Sequence, residues 1–188
     1  DKRVLNLLSQ YQGKLRTELE KALENFSKLP ISKTLRDAAT QQRTIFPEHS
    51  LNSLLTSMDP PLLVEGRLDL LFNAGNEGWL LIDFKAEEEP EIDSYRDRIH
   101  KGQMDAYAWL VEKALGLKIR KAFLAYIHPN ASQREHTPDV EKFEALATSK
   151  LGSLFVDLRG LKAEYSSGPK GTCSVCPFSD NVGGPCDH

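Results

Sequence analysis

Seven residues, Trp79-Leu-Leu-Ile-Asp-Phe-Lys85, constrain this chain more than any other stretch. A run this apolar and this short reads as a strand buried on both faces, which the interior of a sheet covered by helices provides. Two charged residues stand inside it. Asp83 and Lys85 are two positions apart, so both side chains leave the same face of the strand. Phe84 points the other way, into the core, and its carbonyl remains available. Burying charge of this kind costs several kcal/mol unless something compensates it. The pair is therefore either a structural ion pair at a strand end or part of a functional site, and the strand alone does not decide between them.

The flanking sequence supplies the rest of a fold. Residues 62–72, Leu-Leu-Val-Glu-Gly-Arg-Leu-Asp-Leu-Leu-Phe, are strand-like, with Gly66 marking a bulge or a close backbone approach. The polar turn 73–78 joins the two strands into a hairpin, and the acidic Glu87-Glu-Glu-Pro90 closes it as a loop. Val4, Leu8, Tyr11, Leu15, Leu19, Ala22 and Phe26 recur every three or four positions and predict one amphipathic helix over 2–28, ended by Pro30. A second helix is expected from Ser32, as its N-cap, to Gln41, then a short strand over 42–46 and a loop over 52–61. The pattern predicts a helix over 94–116, with Ile99, Tyr107, Leu110, Val111 and Leu115 as its apolar positions and Gly116 as its C-terminal cap. A buried strand over 121–127 follows, ended by His128-Pro129-Asn130. The last helix is expected over 139–165, kinked at Gly152 and Gly160. No internal repeat is visible. This order predicts an α/β fold with a mixed central sheet flanked by helices. It divides into an N-terminal helical segment (1–41), a core (42–165) and a Cys-rich tail (166–188).

Charge and hydropathy narrow the function classes. The chain has 188 residues, 40% hydrophobic and 27% charged, with a formal net charge of −3. That suits one globular domain with a sizeable core. It argues against a module that binds nucleic acid by phosphate neutralisation alone. It argues less against an enzyme whose carboxylates hold metal. No apolar run approaches the roughly 20 residues needed to span a bilayer, and Asp1-Lys2-Arg3 lacks the apolar stretch of a signal peptide. A cytoplasmic protein without a membrane partner is expected.

Hydrolysis of a phosphodiester needs a positioned water and charge relief on the phosphoryl oxygens. Carboxylates and backbone carbonyls holding Mg²⁺ provide the second, and a lysine beside the metal orients or deprotonates the water. The hairpin offers Asp69, Asp83 and Lys85 for those roles. The ordered set Gly66-Arg-Leu-Asp69, then Ile82-Asp-Phe-Lys85, then Gln103-Met-Asp-Ala-Tyr107 resembles the RecB-type branch of the PD-(D/E)XK nucleases. That branch includes the nuclease domains of RecBCD- and AddAB-type enzymes and the CRISPR adaptation nucleases. The match covers roughly residues 40–186. The resemblance implies a restriction-endonuclease-like sheet and Mg²⁺ or Mn²⁺ held by Asp69, Asp83 and the Phe84 carbonyl. It also implies catalysis by Lys85, with Gln103 and Tyr107 supporting the site and the DNA backbone. Gln103 and Tyr107 are four apart, on one helix face. A further family ligand, often a His in a Gly-rich helix start, has no counterpart among His49, His100, His128, His136 and His188. Glu18, Glu20, Glu24 and Glu48 are weak substitutes. That ligand is expected upstream of Asp1, in a longer helicase-nuclease.

Arg96, Arg98, His100 and Lys101 cluster before Gln103 and are candidates for phosphate contact, with a solvated helix face as the plainer reading. The three cysteines all fall within the last sixteen positions, a poor arrangement for disulfides. Cys173, Cys176 and Cys186 resemble the cysteines that hold a 4Fe–4S cluster in iron–sulfur nucleases of this branch, with a fourth ligand from upstream. Zinc on these three and His188 is the alternative. The expected function is a Mg²⁺-dependent, exonuclease-type deoxyribonuclease in recombination, repair or foreign-DNA processing, working with a helicase domain or partner subunit. The alternative is a catalytically silent nuclease fold that binds DNA or scaffolds other proteins.

Overall fold

A computed structural model describes residues 11–159, without side-chain detail for 152–159. Its element order is α1 (Gly13–Lys28), α2 (Pro30–Thr40), β1 (Ile45–Leu55), β2 (Leu62–Asn73), β3 (Trp79–Lys85), α3 (Tyr95–Leu115), β4 (Ile119–Tyr126), β5 (Ser132–His136) and α4 (Val140–Arg159). The five strands form one sheet in the order β1-β2-β3-β4-β5. Strands β3 and β4 are parallel, and every other pair is antiparallel. The expected α/β fold with a mixed sheet flanked by helices is what the chain adopts. The chain divides into two compact units, Asp1–Thr148 and Ser149–His188. The tail residues Cys173, Cys176, Cys186 and His188 lie outside the described residues.

Strand β3 occupies the middle of the sheet, and its Leu80, Leu81 and Ile82 are fully buried. Each contributes about 1.5–3 kcal/mol on burial, so the apolar run accounts for its central place. One sheet face carries Leu70, Phe72, Leu80, Ile82, Phe123 and Ala125, which pack with Leu29, Ile31 and Ala38 from the α1–α2 region. Phe84 joins this side through an edge-to-face contact with Phe26 of α1, the ring centroids 5.2 Å apart. Asn25 fixes α1 to the end of β4 by donating to the carbonyls of Ile127 and Pro129. The opposite face lies under α3, whose Met104, Ala108, Trp109, Leu110 and Val111 are buried.

Several local expectations change. The first helix does not run unbroken from residue 2 to 28. Gln12 is extended and Gly13 has φ +61°, so the helix starts at Gly13 despite the continuing apolar period. The second helix begins at Pro30, not after Ser32. A proline suits the first helical position, where no N–H partner is needed, and Ser32 is buried inside, bonded to the Ser27 and Leu29 carbonyls. Strand β1 extends to Leu55, well into the expected loop over 52–61, because ten of its residues pair with β2. Edge strand β5 has no apolar alternation to announce it; its pairing with β4 makes it a strand. On α3, Ile99 is half exposed and Leu115 is exposed; Met104, Ala108 and Trp109 fill the core instead. Ser94 caps that helix by accepting from the Asp97 amide, and Gly116 ends it in the left-handed conformation, as expected.

Candidate active site

Strand β2 loses regular pairing on both sides at Asp69. Its ladder with β3 ends at Leu70 opposite Ile82. On the other side, Glu48 falls opposite Asp69 between the pairs Pro47–Leu70 and His49–Leu68, with φ +48°. That is an uncommon conformation for a residue with a Cβ. The freed Phe84 amide donates to Asp69 Oδ2 at 2.8 Å, a side-chain bond in place of a ladder bond. A strand residue's N–H and C=O point to the same side, so the Phe84 carbonyl also lies on the Asp69 side.

Asp83 is 3% exposed. Its Oδ2 lies 2.8 Å from Lys85 Nζ, yet the approach lacks hydrogen-bond geometry and this buried oxygen has no hydrogen-bond partner. Burial pushes the Asp83 carboxyl above the usual carboxylate range. Lys85 pulls it back down, and neighbouring Asp69 adds to the rise. Lys85 Nζ also donates to Gln103 Oε1 at 2.8 Å, and Gln103 Nε2 donates to the Tyr107 hydroxyl at 2.8 Å. An ammonium only donates, so the amide oxygen must face Lys85 and its NH₂ must face Tyr107. Asp83, Lys85, Gln103 and Tyr107 thus form one chain of contacts from strand to helix.

Gly66 explains how α3 comes this close. A Cβ at position 66 would lie 2.6 Å from Leu110 Cδ1 and 3.2 Å from Tyr107 Cε1. The strand and helix approach each other there because a side chain is missing, the close approach expected from the sequence.

The donor set around Asp83 is all oxygen: two carboxylates and one carbonyl. That suits a hard divalent cation such as Mg²⁺ or Mn²⁺ rather than zinc. The burial of Asp83 and its raised carboxyl mark a place where further positive charge would relieve a buried carboxylate. Among the described residues no three His, Cys, Asp or Glu side chains gather to hold a metal. Any metal here would be held by two carboxylates and a carbonyl at most, a share compatible with Mg²⁺, which keeps several waters.

The weaker candidates fall elsewhere. Glu18 pairs with His128, Glu20 with Arg16, Glu24 with Lys28 and Glu48 with Arg67. Arg96 is exposed and pairs with Glu87, while Arg98 donates to the Asp93 carbonyl. Lys101 is held by Asp97 at 2.8 Å. His100 turns inward and is only 6% exposed, where the sequence suggested a phosphate contact. Glu87 and Tyr126 border the site and were not legible as part of it, whereas His100, expected at phosphate, borders it through contacts with those two. The one available signal was the spacing of His100, Gln103 and Tyr107, which places all three on one side of the helix.

The similarity of this chain to known proteins is distant and partial. The chain is 32% identical over 97 residues to an ATP-dependent helicase/nuclease component from Pelotomaculum thermopropionicum. That stretch covers 51% of this chain and only 7% of the relative's length. No protein-family model matches the sequence. Among solved structures, the crystal structure of SSO0001 matches the fold with a TM-score of 0.52 at 17% identity, over 97% of this chain and 80% of that one. Among the described residues no helix is long and apolar enough to cross a membrane.

Proposed function

We propose that this chain is a metal-dependent nuclease that hydrolyses DNA phosphodiester bonds, with Asp69, Asp83 and Lys85 at its reaction centre. The observation that carries this reading is the buried Asp83, its Oδ2 without a hydrogen-bond partner, beside a lysine and near a second carboxylate. Burial makes that carboxylate costly, and Lys85 at 2.8 Å offsets the cost only in part, since the carboxyl stays raised. Asp69, Asp83 and the Phe84 carbonyl would hold Mg²⁺ or Mn²⁺. When bound, such an ion supplies charge relief on the phosphoryl oxygens and a more acidic water.

The chain's own groups would do the rest. Lys85 Nζ lies 2.8 Å from Asp83 Oδ2, and it would orient or deprotonate the attacking water. Gln103 fixes where that ammonium sits, and Tyr107 fixes Gln103. Arg96, Arg98 and Lys101, at the start of α3, would reach the phosphates of a bound strand by exchanging their present partners for them. The similarity to part of a helicase/nuclease protein supports a nuclease role beside a helicase domain or partner subunit; an exonuclease-type mode, in recombination, repair or foreign-DNA processing, rests on the sequence resemblance alone. For the tail, the proposal rests on the sequence alone: Cys173, Cys176 and Cys186 hold a 4Fe–4S cluster, with zinc and His188 as the alternative.

Asp83→Ala and Lys85→Ala should each lower oligonucleotide cleavage by the full chain by roughly a hundredfold, the scale of lost acid–base help. EDTA should abolish cleavage. Wild-type rates in both variants would overturn the assignment of these residues, whereas a parent chain that cleaves nothing would leave a silent nuclease fold used for binding or scaffolding.

A further inference from the structure

His100 makes two polar contacts that the proposed chemistry leaves without a purpose, a hydrogen bond to Tyr126 and an ion-pair contact with Glu87. Its Nδ1 lies 3.1 Å from the Tyr126 hydroxyl and its Nε2 3.0 Å from Glu87 Oε1. A carboxylate only accepts, so Nε2 carries the hydrogen. On a neutral ring Nδ1 then accepts from the Tyr126 O–H. Both flanking groups lie beside Lys85. Tyr126 pairs with Lys85 across the parallel β3–β4 ladder, where the Lys85 carbonyl accepts from the Ile127 amide. Glu87 is two residues past Lys85, in the loop that leaves β3. One imidazole therefore joins the neighbouring strand, the chain directly after Lys85, and the helix that carries Gln103.

We infer that His100 is a positioning residue for Lys85: by tying Tyr126 to Glu87 it sets the path of the backbone from which the ammonium projects. The inference rests on the nuclease reading only for its effect on rate. The charged and titratable groups facing the ring are Lys85 from β3, Glu87 from the loop, Arg96 and Asp97 from α3, and Tyr126 from β4. Burial first, and then the Lys85 charge, hold the imidazole below its ordinary range, against the pull of Glu87 and Asp97. Burial pushes the Tyr126 hydroxyl up to about 12, so it keeps its proton. Both conditions preserve the direction of the hydrogen bonds at neutral pH.

The test uses the full chain and two substitutions. His100→Phe keeps a planar ring and loses both contacts; His100→Gln keeps one donor toward Glu87 and one acceptor for Tyr126. Three quantities are read: the ¹⁵Nζ resonance of Lys85 (assigned by its disappearance in Lys85→Arg), the melting temperature, and oligonucleotide cleavage with Mg²⁺. His100→Phe should shift the Lys85 resonance and lower kcat by about tenfold or more with KM unchanged, since small misplacements of reacting groups cost that much. His100→Gln should recover most of both. If His100→Phe does not fold, Glu87→Gln on its partly exposed side chain should move the resonance in the same direction. An unmoved Lys85 resonance, or equal losses in the Phe and Gln variants, overturns the inference. A wild-type chain that cleaves nothing while the resonance shift and its Gln rescue hold overturns the nuclease reading and leaves the positioning role standing.

Discussion

Asp83 and Gly66 show how single positions here serve the site at the expense of the fold. The Asp83 carboxyl is raised above its ordinary range, so its ionised form weakens the folded state at every pH above that range and the penalty disappears on protonation. Asp83→Asn removes the charge and nearly keeps the shape. Its melting temperature at pH 7 should therefore equal or exceed that of the parent chain, while cleavage is lost. A fall of many degrees would mean that the ion pair with Lys85 mainly stabilises the protein. Gly66 acts through volume. Alanine there would press into Leu110 and Tyr107, and overpacking of this kind costs about 1–3 kcal/mol. Because Tyr107 holds Gln103, and Gln103 holds Lys85, Gly66→Ala should lower both the denaturant midpoint and the cleavage rate. Parent values for both would refute that coupling.

Between elements, the strongest polar link joins β5 to the start of α3 and to the loop that leaves β3. Arg134 of β5 reaches Asp97 of α3 and donates to Glu89 and to the Pro90 carbonyl. Asp97 is fully buried. Burial alone would raise it, but hydrogen bonds from Lys101, the Asp93 amide and Arg134 outweigh that and hold it at about 2. A carboxylate depressed on folding stabilises fully above its unfolded value, near 4. That contribution is lost as pH falls from about 4 to about 2. Arg134→Ala strips one partner from a buried charge, which typically costs about 3–5 kcal/mol. Chemical denaturation at pH 7 should show a loss of that size, and acid unfolding should begin at higher pH than in the parent chain. An unchanged acid limb would show that Lys101 and the Asp93 amide suffice for Asp97. The same network explains why β5 exists as a strand: polar contacts and pairing with β4 hold it, and neither produces an apolar period.

For the whole molecule, the two metal proposals separate cleanly. Ca²⁺ binds with longer bonds and looser coordination than Mg²⁺. It should occupy the Asp69 and Asp83 site, stabilise the fold and support little cleavage, whereas Mg²⁺ or Mn²⁺ should support full cleavage. Equal rates with Ca²⁺ would mean that the geometry around those carboxylates does not select the ion. The tail gives an independent observable. With a 4Fe–4S cluster on Cys173, Cys176 and Cys186, anaerobically purified protein should be brown and lose its colour on Cys176→Ala. Colourless protein with one zinc per chain would decide for zinc.

The sequence by itself determined the central strand, the hairpin around it and the residues proposed for the site. An apolar run interrupted by Asp83 and Lys85 on one face admits few structures, and period and spacing are local properties that survive without tertiary context. It also carried the glycine at which strand and helix meet, because a missing side chain is visible in any sequence. Only the tertiary structure decided what those residues touch. The release of β2 at Asp69, the deep burial of Asp83 and the inward turn of His100 depend on strands and helices distant in sequence. Strand β5 and the second half of β1 belong to the same class, since pairing partners, not local pattern, make them strands. A helix period reports which positions share a face, but not which face the sheet will cover, and that is why Ile99 was expected in the core and Trp109 took its place.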